Sequence, residues 1–187
     1  MNPFAQLIDI LLGLYVTVIL LRFFLQYFRA DFYNPLSQFC VKATAPLVNP
    51  LRKIIPGYAG IDSSSLVAAY LVILAKLFIV SLIGGVGNFG LLLFTLMGVI
   101  DLMQSILGLF MFLIIVRIIL SWVSPGGYNP VLAVIGQLSE PVISKFRRLL
   151  PPMSGFDFSP MLALILIFFL QSSINYYLIP LIYQIAN

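Results

Sequence analysis

Four stretches of the chain are apolar for longer than the core helix of a soluble domain needs: residues 4–28, 63–83, 89–123 and 159–179. At 1.5 Å per residue, a helix of about 20 residues crosses a hydrocarbon core of about 30 Å. The pattern therefore predicts spans at 4–28, 63–83 and 159–179. The third run is too long for one straight crossing, at about 35 residues and 52 Å. Its span is expected at 99–123, with a break near Gly98 to Asp101 and 89–98 as a short interfacial or tilted piece. Pro180 should end the last span and leave a short amphipathic tail. Between the first and second spans, and again between the third and fourth, polar residues return at helical spacing. Asn34-Pro35 and Asn129-Pro130 read as an N-cap followed by proline at the first helical position. Pro46 and Pro141 should split each connection into two short interfacial helices, at 34–45 and 46–55, then at 129–140 and 141–150. In the first of these, Leu36, Phe39, Cys40, Ala43 and Leu47 are the expected apolar face.

The two halves carry the same punctuation. Shifting the sequence by 95 positions places Arg22 on Arg117, Tyr33-Asn34-Pro35 on Tyr128-Asn129-Pro130, and Pro46 on Pro141. Arg52 then meets Arg147, Pro56 meets Pro151, and Gly60, Asp62 and Ser64 meet Gly155, Asp157 and Ser159. These matches fall on Pro, Gly, Asn, Asp and Arg, which apolar composition alone would not align, so they indicate a tandem duplication. The predicted fold is an all-α membrane protein of two parallel repeats, 1–88 and 89–187, joined at Gly84-Gly85-Val86-Gly87-Asn88.

Charge sets the expected topology. The chain has 61% apolar and 9% charged residues, too few polar groups to clothe a soluble protein. Nine of its ten Lys and Arg residues lie at the inner ends of the first and third spans or in the connections that follow them, Lys76 being the exception. Positively charged loops stay on the cytoplasmic side, so both termini and the joint are expected to face the opposite side. The net charge of +4 is thereby explained by topology, without nucleic acid. With no histidine and one cysteine, Cys40, the usual base, the usual zinc ligands and an internal disulfide are all missing. No enzyme, metal or cofactor site is expected, and the N-terminal run, lacking a basic n-region, is expected to stay uncleaved.

Polar groups inside the spans are the remaining candidates, since a charge in hydrocarbon needs a partner or water. Lys76 is expected to pair with Asp9 of the first span or with Asp101 of the third. Gln171 occupies the position equivalent to Lys76. Asp9, Gly13 and Thr17 form a stripe expected to mark close helix packing, with Gly108 equivalent to Gly13. Arg22 and Arg117 are expected to reach the caps Asp62 and Asp157, or lipid phosphate. Arg52, Lys53, Arg147 and Arg148 are the expected contacts for anionic lipid or an acidic partner. Trp122 and Tyr128 read as interfacial anchors.

The repeated cassette of Arg22, Tyr33-Asn34-Pro35, Pro46, Arg52, Pro56, Gly60, Asp62 and Ser64, with its second copy, resembles the YggT (YlmG) family over essentially the whole chain. The resemblance implies a bacterial inner-membrane protein without established enzymatic activity. Bacterial relatives are linked with osmotic tolerance and the neighbourhood of cell-division genes. Plastid relatives are linked with haem attachment to cytochrome b6f and with thylakoid or nucleoid organisation. With no His and no CxxCH, this chain is expected to be a scaffold in any such process. The expected function is an assembly factor that binds membrane lipids and a membrane or cytoplasmic partner, and that can form homo-oligomers. The alternative is a transport-related protein with a polar path along Asp9, Lys76, Asp101 and Gln171.

Overall fold

The computed structural model describes residues 2–57, 60–84, 90–123, 129–149 and 157–186. Helix α1 is Pro3–Tyr27, α2 is Pro35–Ile54 and α3 is Ser63–Gly84. Helix α4 is Leu91–Val123, α5 is Pro130–Leu149 and α6 is Ser159–Ser173, followed by a π-helical turn, Ile174–Leu178, and α7, Ile179–Ala186. Four stretches, Pro3–Tyr27, Ser63–Gly84, Leu91–Ser121 and Ser159–Ile185, are long and apolar enough to cross a membrane. The chain is an all-α membrane protein. The joint at 85–88, Tyr128, Pro151 and Gly155 lie outside the described residues, as does the side chain of Trp122.

Local chemistry sets the helix ends. Asn34 Oδ1 accepts from Leu36 N at 3.0 Å, with Pro35 in the first turn where its missing N–H does no harm. Asn129 Oδ1 caps α5 in the same way, accepting from Val131 N at 2.9 Å. Helix α1 closes through Arg29 in the left-handed conformation, with Arg29 N bonded to Gln26 O and Ala30 N to Leu25 O.

Helices α1, α3, α4 and α6 with α7 form the bundle, while α2 lies against α1 and α3, and α5 against α4 and α6. Ile19, Leu20, Ile73, Leu113 and Ile114 fill its centre, and Val48, Leu138 and Ile143 extend that core under the short helices. The ring edge of Phe24 meets Phe110 at a centroid distance of 4.7 Å, joining α1 to α4. Outward faces such as Phe78, Phe112 and Phe168 are exposed and apolar, as a lipid-facing surface requires.

Four expectations need correction. First, the connections are not split: α2 and α5 each run as one 20-residue helix through Pro46, Pro50 and Pro141. A proline leaves the carbonyl four residues earlier without its donor. Those carbonyls belong here to Lys42, Pro46 and Gln137, all exposed, so water can replace the lost bond. The inward face of α2 is Ser37, Cys40, Thr44 and Val48, while Phe39 points out. Second, α4 does not break near Gly98 but runs 33 residues without interruption. In hydrocarbon every freed backbone group is costly, so tilt or protrusion is cheaper than a break. Third, Pro180 does not end the last span, because the π-helical turn before it lets Ile179 N–H reach Ile174 O and spares the clash that an α-helical turn would bring. Fourth, the Asp9–Gly13–Thr17 stripe is not a close contact. A Cβ on Gly13 would meet nothing within 4 Å, and one on Gly108 only Gln171 Nε2 at 3.8 Å. The close approach is at Gly98, where a Cβ would fall 2.6 Å from Leu74 Cδ2 and 3.0 Å from Tyr70 Cε2.

Candidate functional site

Two clusters of arginine and carboxylate stand where the short helices meet the spans. In the first half, Arg22 is buried near the end of α1. Its Nη1 donates to Thr44 Oγ1 at 3.0 Å and to Val41 O at 3.3 Å, its Nη2 donates to Asn49 Oδ1 at 3.4 Å, and its Nε stands 3.9 Å from Asp62 Oδ2. Arg52 Nη2 donates to the same carboxylate oxygen at 2.6 Å, as does Ser65 Oγ. Asp62 is almost wholly buried and its Oδ1 has no hydrogen-bond partner among the described residues. Burial alone would push its carboxyl up. The Ser65 hydroxyl and the Arg52 and Arg22 guanidiniums overcome that and hold it below the ordinary carboxylate range. Asp62 starts α3 through its backbone carbonyl, which accepts from Ser65 N at 3.0 Å, so its carboxylate is left for the arginines.

In the second half, Arg117 Nη1 donates to Ser139 Oγ at 3.0 Å and its Nη2 to Glu140 Oε2 at 2.7 Å. Arg147 bridges Glu140 and Asp157, with Nη2 2.9 Å from Asp157 Oδ2. Asp157 Oδ1 accepts from Ser159 N at 2.9 Å, but the N-cap of α6 is Phe158, so the aspartate expected as the cap stands one residue before it. Glu140 is pushed up by burial but held lower overall by Arg117 and Arg147. Asp157 is likewise lowered, against burial, by Ser159 and Arg147. The bonds to Asp157 and Glu140 raise Arg147 in turn.

Arg22, Asp62, Arg52 and their counterparts 95 residues on are thus brought together within each half. Arg117 departs from expectation: it pairs with Glu140 in place of Asp157, because Glu140 lies one residue from Ser139 on α5. Arg52 and Arg147, expected to face lipid or a partner, are turned back onto Asp62 and Asp157. Lys53 and Arg148 remain exposed, with no ion pair among the described residues. Sequence reasoning missed Thr44 and Ser139, although the 95-residue shift aligns their hydroxyls. Each sits mid-helix and bonds back to a carbonyl of its own helix, Thr44 to Cys40 O and Ser139 to Ile135 O. Asn34 also has an unexpected second role, its Nδ2 donating to Pro130 O at 2.6 Å and tying the two short helices together. Gly60 adopts a φ of 85°, which only glycine takes without strain. Burial raises the thiol of Cys40, on α2, to about 11, which leaves it unreactive.

Within the spans, Lys76 is buried and paired with both candidates, with Nζ 2.7 Å from Asp101 Oδ2 and 3.4 Å from Asp9 Oδ1. The ammonium joins α1, α3 and α4. Gln104 Nε2 donates to Asn175 Oδ1 at 3.2 Å and to the backbone carbonyl of Gln171 at 3.3 Å. Gln171 therefore contributes a carbonyl to an α4–α6 contact and its position does not duplicate the lysine's ion pairs. A cavity of about 330 Å³ reaches Asp101, Gln104 and Asn175 between apolar walls that include Phe94 and Ile179.

Comparison with known proteins gives a consistent identity. A family model described as CCB3/YggT matches residues 1–83 and 96–178. An uncharacterized protein of Pseudomonas aeruginosa is 47% identical over 152 residues, covering 81% of this chain and 77% of that protein. The uncharacterized protein YggT of Escherichia coli K12 is 38% identical over 178 residues, covering 93% and 90%. An uncharacterized protein of Haemophilus influenzae is 36% identical over 170 residues, covering 90% and 89%. No solved structure matches. The chain belongs to the CCB3/YggT family.

Proposed function

We propose that this protein is a non-enzymatic scaffold of the bacterial inner membrane, built as two parallel repeats with both termini in the periplasm. Helices α2 and α5 are its cytoplasmic platforms, engaging anionic lipid and a partner protein in osmotic tolerance or membrane organisation. One observation carries this reading: the platform cations Lys42, Lys53, Lys145 and Arg148 are exposed with no ion pair among the described residues, whereas Lys76 is paired inside the bundle. Each such cation is worth about 1 kcal/mol at an anionic surface. The repeat reading is supported by the matching partners of Arg22 and Arg117 and of Arg52 and Arg147. Photo-crosslinking in cells from positions 53 and 148 is expected to give a discrete protein adduct that position 4, at the other end of α1, does not give. Absence of an adduct from both platform positions would count against a partner.

A transport-related role is the second reading, favoured by the cavity that reaches Asp101. It requires potassium flux in reconstituted vesicles, and an impermeable preparation would sink it.

A further inference from the structure

The first-half arginine cluster opens into a cavity of about 360 Å³ between the end of α1, the turn that follows it and α2. Arg22, Arg29 and Arg52 line it, with Leu25, Phe32 and Val41 among its apolar walls. Arg22, Arg29 and Arg52 stand near two carboxylates, the buried Asp62, which pairs with Arg22 and Arg52, and the exposed Asp31 of the turn, leaving a surplus of one positive charge (3 − 2). Asp31, in the same turn, is exposed and accepts from Tyr33 N. The second half resolves the same problem internally, since Arg117 and Arg147 are matched by Glu140 and Asp157. The first half has Ala45 where Glu140 stands, and the second has Ser124 where Arg29 stands. So the first half lacks the anion that pairs with Arg117 in the second, and its own additional carboxylate, Asp31, forms no ion pair among the described residues.

Arg29 adds a separate observation. It holds the left-handed position that ends α1, with φ 52°, where glycine would be the unstrained choice. At that position the chain carries a guanidinium that lines the cavity, and Arg29 makes no ion pair among the described residues. Guanidinium groups bind phosphate through paired N–H donors, and a part-buried surplus of charge favours such a partner strongly.

We propose that this cavity binds the phosphate of one anionic phospholipid, held by Arg29 and Arg52 with the charge of the buried, already hydrogen-bonded Arg22 behind them, and with its first acyl carbons against Leu25, Phe32 and Val41. The site lies at the end of a span, at headgroup level, and its apolar walls suit a lipid better than a free anion. The assignment rests on the platform orientation proposed above, but it concerns one bound lipid instead of diffuse attraction.

Native mass spectrometry of the detergent-purified chain, titrated with phosphatidylglycerol or phosphatidylcholine, tests it. One phosphatidylglycerol per chain should be retained, and phosphatidylcholine should not. Ala45→Glu supplies the carboxylate that Glu140 supplies in the second half, and should abolish retention. Arg29→Gly relieves the backbone strain, so its melting temperature should hold or rise while affinity for phosphatidylglycerol falls about fivefold. Lys53→Gln with Arg148→Gln should weaken binding to phosphatidylglycerol vesicles yet leave the single retained lipid in place, which separates this site from the platform reading. Undiminished retention in Ala45→Glu or Arg29→Gly overturns the proposal, as does loss of the retained lipid in the Lys53/Arg148 variant. Equal thermal protection by inorganic phosphate overturns the assignment to a lipid.

Discussion

Asp62 and Asp157 occupy equivalent positions in the sequence, yet they differ as residues because their burial differs. The Asp62 side chain is 1% exposed and partners two arginines, one of them buried, while Asp157 is 31% exposed and partners one. Removing one member of a buried pair strands the other charge, which typically costs about 3 kcal/mol or more, whereas a part-exposed pair contributes about 1 kcal/mol or less. Asp62→Asn should therefore lower the melting temperature in detergent well beyond Asp157→Asn, and equal losses would show that Arg22 does not depend on Asp62. The pH dependence has a definite sign. Asp62, Glu140 and Asp157 are all held below their ordinary values. Their stabilisation is complete above about pH 5, clear of the unfolded carboxyl values, and is lost as pH falls through the lowered native values. Thermal melts between pH 3 and 7 should show that acid-side loss, and Asp62→Asn should flatten part of it. The arginines, the aspartates and the asparagine caps were legible from their repetition. Glu140 was not, because nothing in a one-dimensional pattern says that an unrepeated glutamate sits beside a repeated arginine.

Among the elements, the spans and caps follow from hydropathy and local chemistry, while the continuity of the helices does not. Pro46, Pro141 and Pro180 are breakers by local rules, and each is accommodated. The first two free carbonyls on exposed turns of α2 and α5, and the third follows a π-helical turn. Gly98 likewise reads as a weak point, but it is where α3 crosses close to α4. Gly98→Val would drive methyl groups toward Leu74 and Tyr70 and should destabilise the bundle by about 1–3 kcal/mol, the usual cost of overpacking. The far end of Leu74 can shift, so Gly98→Ala should cost less. Both follow from melting temperatures in detergent, and a neutral Gly98→Val would remove the close contact from the account.

Across the whole molecule, Lys76 links α1, α3 and α4, and so connects the two halves through the spans, as Asn34 does through the short helices. Asp101 is nearer to Lys76 and less exposed than Asp9, at 23% against 45%. Asp101→Asn should accordingly lower folded yield more than Asp9→Asn, and Lys76→Met, which leaves two carboxylates facing each other, should lower it most. The reverse order for the aspartates would point to Asp9 as the working partner. From the sequence alone came the class of protein, the four spans, the caps and the identity of nearly every charged side chain that matters, because hydropathy and capping act over a few residues. Only the tertiary structure decided that Lys76 takes both aspartates, that Arg52 and Arg147 turn inward, and that the helices continue through their prolines. Those outcomes depend on which groups burial leaves without water, and that is a property of neighbours brought together by packing.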